Sequence, residues 1–254
     1  MTTTTPAPTT TATAPLRRWP ATGLLLTASG VLATVGATIL SVSFGWPAVL
    51  DEPGTTVLPL FAASETSLRA GFYLMLVSSL VLVPAAFGLE AALTRATPGT
   101  RAMTVFGVAG ALFQILGWVR WPITVPFLAD AYAQATDAAG RQAVAASFDV
   151  LNRYGGGALG EHLGWLFQGV WAVFVGVVVV RAVGVPRWFG ALGLALAAVW
   201  AVLVPGAAVL RSEAMNTIGQ PVYTAWYVWL LALGVLLVVR RVGPASTVGV
   251  TATA

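Results

Sequence analysis

The sequence predicts an all-α, polytopic transmembrane helix bundle of six spans, with an amphipathic helix in the outer loop between spans 3 and 4. Three observations predict it. Hydrophobic residues make up 57% of the 254 and charged ones only 9%, against about 25% charged in a soluble domain. A water-facing surface cannot be built from so few charges, so lipid must cover much of the molecule. Six apolar runs follow one another, each long enough for a hydrocarbon core that takes about 20 helical residues. None of the six alternates with period two, which argues against a β-barrel.

The runs are Ala21 to Phe44, Leu68 to Leu93, Ala102 to Ala129, Ala158 to Val180, Trp188 to Leu210 and Pro221 to Val239. The first exceeds the 7–15 residues of a signal-peptide core and reads as an uncleaved span. Pro84 and Pro122 predict kinks in spans 2 and 3, where neighbours can satisfy the freed carbonyls. Gly193, Ala197 and Ala201 form a small-xxx-small row on span 5, suited to close helix approach. Residues 1–18 and 242–254 are rich in Thr, Ala, Pro, Gly and Val and read as disordered cytoplasmic tails around a membrane domain of 19–241.

Two outer connections carry structure of their own. Trp46 to Ser67 holds a Pro/Gly break and then the apolar stretch Val57 to Phe61. Asp130 to Tyr154 places Val144, Phe148 and Leu151 on one helical face, with Asp137/Arg141 and Asp149/Arg153 as i,i+4 pairs. That pattern predicts a helix on the outer membrane surface or capping the bundle. Gly155, Gly156 and Gly157 are then expected to turn the chain into span 4.

All the basic side chains are arginines, and they set the orientation. With a cytoplasmic N-terminus, the inner segments hold Arg17, Arg18, Arg95, Arg101, Arg181, Arg187, Arg240 and Arg241. The outer segments hold Arg69, Arg141, Arg153 and Arg211, together with Asp51, Glu52, Glu65, Asp130, Asp137, Asp149 and Glu213. Both termini inside satisfies the whole pattern. Arginines spread over short loops, with no basic stripe, exclude a nucleic-acid partner; membrane lipid is the partner the composition names.

Several chemistries fall away. There is no cysteine, hence no disulfide, thiolate metal site or cysteine nucleophile. The single histidine, His162, excludes bis-histidine haem within one chain and the usual zinc clusters. No cofactor, no metal and no catalytic residue is predicted.

One polar constellation remains, because charge inside a span is costly. Nineteen residues separate Arg101 from Arg120, and twenty separate Glu161 from Arg181 on the antiparallel span 4. At about 1.5 Å per residue the two charges share a depth of about 28–30 Å from the inner face. Gln114 matches Gln168 in the same way, and Trp118 matches Trp165. Glu161, Trp165 and Gln168 share one helical face; Gln114, Trp118 and Trp121 share another. Spans 3 and 4 are therefore expected to build an outward-facing polar pocket, with Arg120 paired to Glu161, Gln114 to Gln168, and His162 at the rim. Glu90 lies near the inner face and reads as interfacial.

The runs Phe44–Pro47 with Asp51–Pro53, Gln114 to Pro126, and Gly160–Gly164 resemble the bacterial membrane family called domain of unknown function 4386, over about Ala21 to Arg241. The resemblance implies a multi-pass protein of the bacterial plasma membrane. It implies no activity, substrate or cofactor. The expected function is a non-enzymatic bundle with a sensor, partner-binding or envelope role. The alternatives are a small-molecule transporter and an intramembrane enzyme using Glu161 and His162. The last is disfavoured because neighbours on a helix point about 100° apart.

Overall fold

A computed structural model describes residues 15–95, 97–210 and 213–244. Its helices are α1 (Pro20–Phe44), α2 (Gly54–Ala63), α3 (Glu65–Leu93), α4 (Pro98–Gln134), α5 (Ala138–Leu151), α6 (Gly164–Arg181), α7 (Arg187–Leu210) and α8 (Glu213–Val239). A short 3₁₀ turn, Ala48–Asp51, follows α1, and a π-helical segment, Asn152–Leu163, joins α5 to α6. Six of these stretches are long and apolar enough to cross a membrane, one of them running from Ala138 to Arg181. The protein is thus a multi-pass helical membrane protein.

The six long helices close a ring in chain order: α1 on α3, α3 on α4, α4 on α6, α6 on α7, α7 on α8, and α8 back on α1. Both ends of the bundle domain meet on one side. The Arg17 N–H donates to the Val242 carbonyl at 3.1 Å and the Val242 N–H returns the bond at 2.8 Å. Val183, between α6 and α7, pairs in the same way with Gly243. The proposed tails therefore carry order at their inner edges; residues 1–14 and 245–254 lie outside the described residues, as do Arg211 and the side chain of Glu213.

Small residues set the spacing of the ring. An added Cβ on Gly176 would come 2.7 Å from the Leu194 backbone, and one on Gly117 would come 2.6 Å from the Cα of Gly160. Such backbone-to-backbone approach needs glycine, the source of packing where lipid removes the hydrophobic drive. The predicted row on α7 is part of this system: Gly193 lies under the Trp229 ring, Ala197 is fully buried and Ala201 meets Gly169. Hydroxyls add ties, as Ser29 Oγ donates to the Ser78 carbonyl at 3.0 Å and Ser78 Oγ to the Ser29 carbonyl at 2.9 Å. Near the termini, the Thr104 hydroxyl donates to the Glu90 carboxylate, so Glu90 joins α3 to α4 rather than merely resting at an interface.

At the end opposite the termini, α4 runs 37 residues, or about 55 Å. That exceeds the hydrocarbon thickness of about 30 Å. Its last turns carry a cap made by α2 and α5. Trp121 is the centre of this cap, stacked on Phe72 with ring centres 4.3 Å apart and on Phe61 at 6.1 Å.

Three local expectations are corrected here. Gly155, Gly156 and Gly157 make no turn; α5 passes into α6 as one helical rod, and positive φ occurs only at Gly45 and Gly184 among the described residues. The Asp137/Arg141 and Asp149/Arg153 ion pairs do not form. Asp137 instead caps α5 through the Gly140 N–H at 2.7 Å, and Asp149 accepts from the Gly54 N–H at 2.7 Å, capping α2 from across the chain. A carboxylate gains more from orphan helix N–H groups and the positive end of the dipole than from a solvated arginine.

Candidate functional site

The polar layer predicted for spans 3 and 4 reaches further round the ring. Gln114 Nε2 donates to Gln168 Oε1 at 2.6 Å and to the Tyr223 hydroxyl at 3.1 Å. Ser79 Oγ donates to Gln114 Oε1 at 3.2 Å, and Gln168 Nε2 to the Tyr227 hydroxyl at 2.9 Å. One buried glutamine thus ties α3, α4, α6 and α8. Equal depth predicted the Gln114–Gln168 contact. It could not predict Tyr223 and Tyr227, which sit i,i+4 on the last span and read in isolation as interfacial aromatics.

Arg120 lies nearly two turns further toward the cap and is 6% exposed. Its Nη1 donates to the Gly117 carbonyl and its Nη2 to Asn152 Oδ1 at 2.9 Å, while Asn152 Nδ2 donates to the Leu50 carbonyl at 2.9 Å. The guanidinium carbon stands 5.1 Å over the Trp121 ring, a cation–π contact. An added Cβ on Gly156 would run into the guanidinium, so the π-helical glycines make the space that Arg120 fills. The Arg120 Nε is buried without a partner.

The expected Arg120–Glu161 ion pair is not made. Among the described residues the one ion pair within 4 Å joins Arg69 and Glu65, at 3.1 Å. The arginine is turned toward Asn152 by the π-helical segment. That segment also carries Glu161, whose carboxylate makes no hydrogen bond among the described residues. The two charges line one cavity, with about 40 Å³ open to the centre of a water-sized sphere. Trp46, Trp118, Trp165 and Tyr223 supply its aromatic walls.

A larger cleft adjoins it, with about 480 Å³ on the same measure, and Trp46, Met75, Trp118 and Tyr223 border both spaces. The cleft lies between Ala33–Val42 of α1 and Pro221–Tyr227 of α8, with Ser78, Ser79 and Gln114 at its floor. Toward the termini α1 and α8 touch directly, at Gly23 with Gly234 and at Gly30 with Leu231. The cleft is where the two helices part.

Of the residues expected at the site, the structure brings Arg120, Glu161, Trp118 and Trp165 to the small cavity and Gln114 and Trp118 to the cleft. Gln168 is fully buried behind Gln114, and Trp121 is fully buried in the cap beneath Arg120. His162 is half-buried and lines neither space. Trp46, Asn152 and the two tyrosines were not anticipated. No three His, Asp or Glu side chains gather to hold a metal among the described residues.

No curated protein and no solved structure matches the chain. A family model matches residues 21–240, which take in all six spans and both cavities. The chain belongs to the family described as domain of unknown function (DUF4386).

Proposed function

We propose that this membrane protein is a non-enzymatic bundle that takes a small molecule into the joined cavities at the end opposite its termini. The observation that carries the reading is the Glu161 carboxylate. It stands in a span, beside a partly enclosed cavity, with no hydrogen-bond donor supplied by the described residues. Ionisable groups at such positions mark function by default, because an uncompensated charge is costly there. A bound molecule supplies the missing partner. His162 lies outside both spaces, so Glu161 has no base or acid beside it for covalent chemistry.

Thermal melting of the full chain in lipid nanodiscs tests this. Fractions of a polar-lipid and metabolite extract should include one that raises the melting temperature of the wild type and leaves Glu161→Gln unmoved. If no fraction separates the two proteins, the reading fails.

The orientation that fits is both termini in the cytoplasm of a bacterial plasma membrane, with the cavities toward the outside. The support is the pairing of arginines on the termini side at Arg17/Arg18, Arg95/Arg101, Arg181/Arg187 and Arg240/Arg241. Because the chain has no cysteine, Thr97→Cys is a clean reporter. A membrane-impermeant maleimide should label it only after cells are opened. Labelling of intact cells would invert the orientation.

A second reading, transport, has one observation in its favour. The π-helical segment interrupts the α-helical rod at the site itself, and helices broken at a binding site are a transporter feature. Counterflow in proteoliposomes, using the fraction that shifts melting, separates carriage from binding.

A further inference from the structure

We infer that the ligand is a primary ammonium compound on an apolar tail, its head against Glu161 and its tail in the cleft between α1 and α8. This deepens the binding reading above and rests on it. The choice of sign follows from which charge has bonding capacity left. Arg120 donates from both terminal nitrogens, to Gly117 and Asn152, lies over Trp121 and is only 6% exposed, so it turns little of itself to the cavity. Glu161 is half-buried and spends neither oxygen among the described residues, so the larger unused bonding capacity at the cavity is that of the carboxylate. An anion entering the cavity would meet a carboxylate and only the small exposed part of a guanidinium already bonded through both terminal nitrogens. A cation would meet two free carboxylate oxygens and aromatic faces that attract positive charge.

Size narrows the head group. A water occupies about 10–15 Å³ on this measure, so a space of about 40 Å³ suits a compact –NH₃⁺ with one or two waters. Three N–H donors can then reach Glu161 and those waters. The adjoining 480 Å³ lies in the usual range of small-molecule sites, about 300–1,000 Å³. Ala33, Ala37 and Val42 give it an apolar wall, and Val42 is 83% exposed toward the surroundings of the bundle. The open side lies between two spans, so the tail enters from the membrane and the head follows past Trp118.

The test uses the full chain in nanodiscs and calorimetric titration, corrected for partition into protein-free discs. The probes are decylammonium, decyl sulfate and decyl maltoside, which share the tail and differ in the head. Decylammonium should bind saturably at one site per chain, and the other two should not. Glu161→Gln should weaken it about tenfold or more, the value of a lost charge-assisted bond. Trp165→Leu should weaken it by a smaller factor and serves alone if Glu161→Gln fails to melt cooperatively.

Saturable binding of decyl sulfate or decyl maltoside in place of decylammonium overturns the cation assignment and leaves the binding reading standing. Saturable decylammonium binding that a folded Glu161→Gln retains at full affinity also overturns it. If no probe binds saturably and no extract fraction shifts melting, both fall together.

Discussion

Replacing Gln114 with leucine tests whether the polar layer holds the ring together. The substitution nearly conserves volume, so little of its effect comes from packing. It removes four hydrogen bonds: to Gln168 at 2.6 Å, to Tyr223 at 3.1 Å, from Ser79 at 3.2 Å and from Tyr227 at 3.5 Å. Interhelical bonds in membranes average about 0.6 kcal/mol and reach about 1.7. The expected loss is therefore about 2 kcal/mol, with a ceiling of about 7. Gln168→Leu loses the shared bond and its bond to Tyr227. The double variant should fall short of the sum by the value of the shared bond, about 0.6–1.7 kcal/mol. Unfolding in mixed micelles, followed by tryptophan fluorescence, measures all four proteins. Additivity within about 0.3 kcal/mol would refute the bond as a structural tie, and a Gln114→Leu protein as stable as wild type would refute the network.

Two further perturbations probe the π-helical segment and the cap. Gly156→Ala drives a methyl into the Arg120 guanidinium, whereas an added Cβ on Gly157 meets nothing within 4 Å; the first should cost about 1–3 kcal/mol in melting experiments and the second should leave stability equal or higher. Asp149→Ala frees the Gly54 N–H at the start of α2 and should cost about 0.5–2 kcal/mol, with Asp149→Asn recovering most of it; limited proteolysis of the α2 region would report the same order.

The six spans were readable because each long apolar run has one outcome in lipid, and the arginine collars mark their ends. The Gln114–Gln168 contact was readable because equal depth on adjacent antiparallel helices places side chains side by side. What the sequence concealed lies in the connections. A triple glycine ordinarily breaks a helix, yet Gly155–Gly157 continue one, because their missing side chains make room for Arg120 and Gly160 meets Gly117. Asp149 sits four residues before Arg153, yet its partner is Gly54, 95 residues away. The π register also explains why depth matched Arg120 to Glu161 correctly while their pairing did not follow. Depth fixes height along the bundle, and the altered winding fixes azimuth.

That azimuth decides what Glu161→Gln does, and so whether the site is structural or built for a guest. A buried Arg–Glu pair broken on one side costs about 3–5 kcal/mol, because the survivor is left uncompensated. Arg120 is not left so: it keeps Gly117, Asn152 and the Trp121 face whatever stands at position 161. Glutamine removes a charge that had no donor and relieves its desolvation, which offsets the through-space attraction lost. Ligand-free Glu161→Gln should then melt with a change below about 1 kcal/mol, well short of a broken pair. Arg120→Met, which strands the Asn152 amide oxygen and empties the glycine-lined space, should cost about 2–5 kcal/mol. Equal, large losses in both variants would mean that the two side chains close on each other in the membrane, and the cavity between them would then have no free carboxylate to offer.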